Sequence, residues 1–297
     1  MDRRIDSVRR LDLCHIGASN AEPTILVWGD SHALGWLPAV DTVLRANGAA
    51  ALFAGRSACP PLVEVRNPVN PRCIEHNAAV MDIWQANPRF RLAVLVAAWA
   101  SYSASSGQYV LEDAAGRRGN EIVFTDALHR TVRGLRSPER SVWLIGPTPG
   151  APAEASFRMA MARLNRGNET QPVSLAAFEL RKSAFDEAIS SLARDDRVFL
   201  SDPGTSLCDS MSCKYEVDGM PLYRDGGHLN THGAQYLQPF LDYSFRQVMA
   251  RTDCCRQGGS TSSGRTSPTV EEHIVSLVEI RSGVTGVKAN FGFAAPD

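Results

Sequence analysis

Apolar residues arrive along this chain in short, β-branched runs separated by stretches of helical period. The runs are Ile25–Trp28, Ala50–Ala54, Leu92–Ala97, Val142–Ile145 and Val198–Leu200. Near-continuous apolar runs of this length suit strands buried on both faces of a parallel sheet. Between them, apolar positions recur three and four residues apart. Ala33–Ala46 carries Leu34, Leu37, Val40, Val43 and Leu44, and Ile74–Gln85 carries Ala78, Met81 and Trp84. Ile122–Leu135 carries Ala127, Leu128, Val132 and Leu135, and Leu175–Ala193 carries Phe178, Phe185, Ile189 and Leu192. A last helix is expected over about His232–Met249, with Tyr236, Leu237, Phe240, Leu241 and Phe245 on its apolar side.

Strand alternating with helix predicts βαβ units with right-handed crossovers. The expected fold is α/β: a three-layer α/β/α sandwich around a central five-stranded, mostly parallel sheet. That domain is expected over residues 20–252, after an N-terminal segment of residues 1–19. Past Arg251 the pattern ends. Gly258-Gly259-Ser260-Thr261-Ser262-Ser263-Gly264 has the composition of a flexible linker. A short helix or strand is conceivable over Val270–Ile280, and residues 253–297 are expected to be mostly disordered and outside the chemistry.

The chain has 297 residues, 44% hydrophobic and 21% charged, which is ordinary for a globular protein with a substantial core. Its formal net charge of -1 gives no reason to expect a nucleic-acid partner. Arg3, Arg4, Arg9 and Arg10 form a local basic cluster. It reads either as a solvated terminus or as the flank of a membrane anchor outside this sequence. No run approaches the roughly 18 apolar residues of a transmembrane helix. Nor does the start have the apolar stretch of a secretory signal, which alone would suggest the cytoplasm.

The seven cysteines point the other way. Cys59 and Cys73 flank a proline-rich loop, and Cys208 and Cys213 flank a short polar one. Both loops could close as disulfides, which persist in oxidising compartments, or hold unlinked thiols. Neither has the C-x-x-C pairing of a zinc site. Cys14, Cys254 and Cys255 have no evident partner by spacing.

Chemistry concentrates at two places. Gly29-Asp30-Ser31-His32 follows the first apolar run, and Asp225-Gly226-Gly227-His228-Leu229-Asn230 precedes the last helix. A serine hydroxyl is a poor nucleophile until a base takes its proton, and the base gains from an acid that fixes its tautomer. Ser31 would lie at the carboxyl end of a parallel strand, where open α/β sheets place ligands. The N–H groups of the helix that follows could stabilise an oxyanion. Asp30-Ser31 alone also suits a plain helix N-cap, and Asn230 or Thr231 could cap the last helix. Asp225, His228 and His232 have spacing that suits a metal, but no fourth ligand is evident.

The pair of blocks resembles the SGNH (GDSL-like) hydrolase superfamily. More narrowly, it is similar to the SGNH domain at the carboxyl end of membrane acyltransferase-3 proteins that O-acetylate bacterial surface polysaccharides. Ser57-Ala58-Cys59-Pro60-Pro61-Leu62, Val96-Ala97-Ala98-Trp99 and Gly219-Met220-Pro221-Leu222-Tyr223-Arg224-Asp225 support the narrower match, over roughly residues 12–250. The resemblance implies a flavodoxin-like SGNH fold, with Ser31 as nucleophile, His228 as general base and Asp225 as its orienting acid. It implies oxyanion donors from the Ser31 backbone N–H and from Gly55. The family's third block supplies an asparagine from Gly-x-Asn-Asp, where this chain has Ala97-Ala98-Trp99-Ala100.

His32, Trp99, Arg56 and Tyr102 fall near strand ends beside the expected cleft and are candidate substrate contacts, Trp99 as a pocket wall. No metal or other cofactor is expected. The implied activity is acyl transfer to or from carbohydrate hydroxyls through an acyl-Ser31 intermediate. The O-acetyltransferase would work with a membrane acyltransferase-3 partner in an extracytoplasmic, periplasmic setting. A carbohydrate O-acetyl esterase is the first alternative. A non-catalytic carbohydrate-binding domain is the second, motivated by the missing asparagine, and a metal-dependent hydrolase is the third.

Overall fold

A computed structural model describes residues 4–104, 109–152 and 171–252, together with Ala155, Phe157, Met159, Met161 and Leu164. The chain divides into two units, Met1–Gly258 and Gly259–Asp297. The second unit, with the expected linker and the Val270–Ile280 segment, lies outside the described residues, as do Cys254 and Cys255.

Six strands form the main sheet: β1 (Cys14–Gly17), β2 (Ile25–Gly29), β3 (Ala50–Gly55), β4 (Leu92–Val96), β5 (Ser141–Ile145) and β6 (Val198–Ser201). Their spatial order is β1-β3-β2-β4-β5-β6. The five strands expected from the apolar runs are all present and mutually parallel. Every residue of β2, β3, β4 and β5 is buried, which is why their sequences are continuously apolar instead of alternating.

The sixth strand was not expected. β1 pairs antiparallel with β3, Cys14 opposite Phe53 and Gly17 opposite Ala50. Its Cys-His-Ile-Gly sequence has one clearly apolar residue, and only Ile16 and Gly17 are buried, because an edge strand needs little apolar surface. Residues 1–19 therefore contribute to the sheet itself.

Among the described residues the helices longer than one turn are α1 (Ile5–Arg9), α2 (Ser31–Ala46), α3 (Cys73–Ala86), α4 (Trp99–Ser103), α5 (Glu121–Leu135), α6 (Leu175–Ser190) and α7 (Thr231–Arg251). Successive residues of a strand face opposite sides, so the sheet divides its side chains between two cores. Leu26, Trp28, Leu52, Ala54, Ala93, Leu95, Val142 and Leu144 pack with residues of α1, α3, α5 and α6. Ile25, Val27, Ala51, Phe53, Val94, Val96, Trp143 and Ile145 pack with residues of α2 and α7. The result is three layers, α/β/α.

The order of the strands fixes where a site can form. From β2 the chain steps to β3 on one side, then returns across to β4 on the other. The connections leave on opposite faces, opening a crevice beyond the carboxyl end of β2. Two disulfides, Cys59–Cys73 and Cys208–Cys213, brace loops of the domain. Cys59–Cys73 joins the segment after β3 to the first residue of α3, 14 residues on. Closing a loop of that size stabilises by about 3 kcal/mol through the unfolded chain.

Two outcomes follow. A chain lacking residues 1–19 loses β1 and the buried Ile5 and Val8. It should melt at least about 3 °C lower, a loss on the order of 1 kcal/mol or more, and self-associate through the bared β3 edge. An unchanged melting curve with monomeric elution would refute this. Peptide mapping without reduction should recover the Cys59–Cys73 and Cys208–Cys213 linked peptides, and thiol-alkylated peptides from those positions would contradict the pairing.

Candidate active site

Gly29 ends β2 at a place no side chain could occupy. A Cβ there would lie 1.9 Å from the Val96 carbonyl oxygen of the neighbouring strand. This close approach lets the chain turn into α2 directly at the sheet edge. Asp30 is the N-cap of α2, and one of its carboxyl oxygens accepts from the His32 N–H at 2.8 Å. The other accepts from the Ala98 N–H at 3.0 Å. The Tyr102 hydroxyl lies near the same carboxyl group. Asp30 is fully buried, so its cap is shared between α2 and the segment leaving β4. The plain N-cap reading of Asp30 thus holds together with a catalytic reading of Ser31.

Ser31 is the first residue of α2, where a backbone N–H has no acceptor within the helix. Its Oγ lies 2.7 Å from His228 Nε2. On the far side of that ring, Nδ1 is 2.9 Å from both Asp225 carboxyl oxygens. Ser31, His228 and Asp225 therefore form one hydrogen-bonded chain, across 197 residues of sequence.

The turn that carries the acid and the base is internally braced. Asp225 Oδ1 accepts from the backbone N–H of Gly227 at 3.0 Å and of His228 at 2.8 Å. Desolvation alone would raise the Asp225 pKa. The two N–H donors and the imidazole outweigh it and hold the carboxyl at about 2. The turn also rests on the loop after β5. The Ala151 N–H donates to the Gly226 carbonyl at 3.0 Å. Gly150, with φ +76°, admits the approach because a Cβ there would stand 2.4 Å from the Gly226 oxygen. Asn230 caps α7 through the Gly233 N–H at 2.9 Å, so the base sits just ahead of a fixed helix start.

His32 is half-buried, with its ring centroid 4.4 Å from that of His228. Burial lowers its pKa, against the pull of Asp30, and the neighbouring His228 adds to the lowering. It lies beside Ser31 and His228.

Two expected substrate contacts sit elsewhere. Trp99 is fully buried, its indole N–H donating to the Ile145 carbonyl at 2.8 Å. Its ring stacks on Phe185 at 5.5 Å and meets Phe124 edge-on at 6.2 Å. The indole has a complete set of core partners, so Trp99 is a packing residue and no pocket wall. Tyr102 is also buried, near Asp30 and stacked on Tyr109 at 4.8 Å. Burial, reinforced by Asp30, pushes its hydroxyl pKa up.

The half-buried member of that aromatic pair is Tyr109, which the sequence did not single out. Its pKa is raised by burial and then by the nearby Asp30. Arg56 is half-buried at the end of β3 and donates from Nε to Asn70 Oδ1 at 3.3 Å. Gly55 is buried at the last position of β3, in register with Gly29. The neighbouring N–H groups are occupied: that of Arg56 by the Gly29 carbonyl at 3.1 Å, and that of Ala98 by Asp30.

Another residue that emerges only in three dimensions is Asn77 of α3, fully buried. It accepts from the Trp28 indole at 3.2 Å and donates to the Pro60 and Leu62 carbonyls, each at 2.8 Å. It fastens the strand of the nucleophile to the disulfide-closed loop. Its only sequence signal is a polar residue on the apolar side of a helix. His232, the third member of the metal-binding reading, falls in the first turn of α7, and no group of three or more metal-binding side chains occurs among the described residues.

The chain matches one family model and resembles several solved structures. The model of the SGNH domain (fused to AT3 domains) matches residues 2–242. The periplasmic domain of a lipopolysaccharide acetyltransferase from Salmonella ser. Paratyphi A superposes with a TM-score of 0.56 at 17% identity, covering 76% of this chain and 84% of that one. An aryl esterase of M. smegmatis in its inhibitor-bound form gives 0.48 at 16% identity, over 76% of this chain and 100% of its own. Est24, a carbohydrate acetylesterase from Sinorhizobium meliloti, gives 0.46 at 13% identity, with 76% and 100% covered. No curated protein matches the sequence significantly. The chain belongs to the family of SGNH domains fused to AT3 domains and is, with it, an enzyme acting on ester bonds by hydrolysis or transfer.

Proposed function

We propose that this protein transfers an acetyl group to a carbohydrate hydroxyl through an acyl-Ser31 intermediate, as an O-acetyltransferase of bacterial surface polysaccharide. One observation carries the reading: the continuous hydrogen-bond chain from Ser31 Oγ through His228 to Asp225. Ser31 Oγ attacks the carbonyl carbon of an acetyl ester while its proton passes to His228 Nε2. Asp225 keeps the other proton on Nδ1 and balances the imidazolium. His228 then returns the proton to the leaving oxygen. In the second half, a sugar hydroxyl gives its proton to His228 and takes the acetyl group from Ser31. With water in place of the sugar, the same steps make an esterase.

The Ser31 N–H and Gly55 are the proposed oxyanion donors. The position of the family's asparagine is Trp99, which is committed to the core. A missing donor costs about 3 kcal/mol of transition-state stabilisation, so a slow reaction with water is the natural expectation. The intact triad argues against a purely binding role. Family membership supports a membrane acyltransferase-3 partner as the source of acetyl groups. The two disulfides support an extracytoplasmic site of action. No described helix is long and apolar enough to cross a membrane.

Ser31→Ala should keep the fold and lose labelling by a serine-reactive fluorophosphonate, with hydrolysis of a small acetyl ester down at least about 1000-fold. Labelling that persists in Ser31→Ala would remove the assignment. Acetate release and sugar acetylation, measured with and without a polysaccharide acceptor, separate the two outcomes of the acyl-enzyme. Transfer predicts that acceptor diverts acetyl groups from water, and unchanged partitioning favours the esterase.

The pH dependence has a definite sign. Asp225, depressed to about 2 in the fold, stays ionised until well below the ordinary carboxyl range, and its stabilising contribution is lost only as pH falls through about 2. Asp225→Asn should lower kcat by orders of magnitude with the fold kept, and an unchanged kcat would remove Asp225 from the mechanism. Asp30→Asn places an amide N–H₂ against one of two N–H donors that now meet a carboxyl oxygen. It should destabilise by about 1–3 kcal/mol and lower kcat as well. A neutral effect on melting temperature would refute the shared cap.

A further inference from the structure

We infer that the ester substrate is anionic, with its carboxylate or phosphate group taken by Arg56 beside the nucleophile. The inference deepens the acyl-transfer reading and rests on it only for the location of the reacting ester.

Arg56 is the first residue beyond β3, and its N–H donates to the Gly29 carbonyl, two residues before Ser31. Its guanidinium is half-buried at the carboxyl edge of the sheet, yet among the described residues it meets no carboxylate. Several other arginines of the domain differ. Arg91, Arg117, Arg130 and Arg136 each pair with an acid, and Arg140 donates to the Trp84 and Asn87 carbonyls. A partly desolvated guanidinium with one neutral partner retains donors in a planar fork that matches a carboxylate or a phosphate.

The fork is also held in place before any ligand arrives. Asn70 accepts from Arg56 Nε and donates from Nδ2 to the Ser57 carbonyl at 2.6 Å. Asn67 donates to the Ala58 carbonyl at 2.7 Å, and the Cys73 N–H donates to the Asn70 carbonyl at 2.9 Å. The Cys59–Cys73 disulfide closes the same loop. An exposed surface arginine needs no such scaffold, whereas a binding group gains from one because its ordering is completed in advance.

The charges around the reacting serine have a matching sign. Asp30 is fully buried, and Asp225 is occupied by His228 and two backbone N–H groups. Arg224 is exposed and near enough to depress His32, with Asp225 Oδ2 at 3.4 Å as its partner. Asp30 and Asp225, the carboxylates that flank Ser31 in the hydrogen-bonded site, are thus both engaged, whereas the Arg56 guanidinium has a neutral partner. Carboxylate and phosphate share this chemistry, and the choice between them is left to the substrates compared.

The test uses the full chain and three mono-O-acetylated methyl glycosides alike except at the primary carbon: a neutral galactoside, its uronate and its phosphate monoester. The expected result is a kcat/KM for the uronate or the phosphate about tenfold or more above that of the neutral glycoside, carried mainly in KM. In Arg56→Gln that ratio should fall toward one, and Arg56→Lys should keep part of it. A second arm titrates the same ligands into Ser31→Ala and Ser31→Ala/Arg56→Gln by calorimetry. Binding there reports anion recognition even if Ser31 proves not to be the nucleophile, so the two failures are distinguishable. Equal handling of neutral and anionic glycosides by the wild-type chain, or an anion preference unchanged by Arg56→Gln in both arms, would overturn the inference.

Discussion

The site depends first on one buried carboxyl group. Asp30 is enclosed by the protein and takes hydrogen bonds from the His32 N–H and the Ala98 N–H, with the Tyr102 hydroxyl nearby. A polar group so deeply buried is tolerable only when its bonds are complete, so any movement of these elements apart leaves costly unpaired atoms. The helix start that carries Ser31 is thereby locked to the segment leaving the next strand. Gly29 makes the lock possible by letting the two backbones meet, and Tyr102 seals it from the side. A nucleophile mounted this way does not need an ordered loop of its own.

The remaining parts are supports of the same kind. Asn77 ties the strand beneath Ser31 to the disulfide-closed loop, and that loop holds Arg56. The loop after β5 bears on the Gly226 carbonyl and steadies the turn that carries Asp225 and His228. Asn77 and Asn70 each relay a side-chain contact, to Trp28 and to Arg56, onto backbone carbonyls, so those side chains are referred to the main chain through one fixed amide. Pre-set geometry of this sort is what lets a weak nucleophile and a neutral base act together.

Much of this was legible in the sequence, for identifiable reasons. Continuous apolar runs exist because the strands are covered on both faces, so Ile25–Trp28 and its counterparts announce themselves. The two polar blocks were visible because each interrupts such a pattern at a strand or helix end. β1 escaped notice because an edge strand with one exposed face needs little apolar sequence. Trp99 and Tyr102 were placed wrongly because burial is decided by partners far away. The Trp99 indole meets Ile145, and the Tyr102 ring is covered by Tyr109. Asn77 and the scaffold around Arg56 consist of contacts between segments, which no single stretch of sequence records.

The two halves of the catalytic pair stand at the starts of the second and last helices of the domain, which pack against each other. The two side chains are 197 positions apart, so Ser31 meets His228 only once nearly the whole domain has been made and its last helix is in place. In the proposed mechanism an incomplete chain thus has the hydroxyl without its base, and the serine stays an ordinary alcohol until the fold is complete.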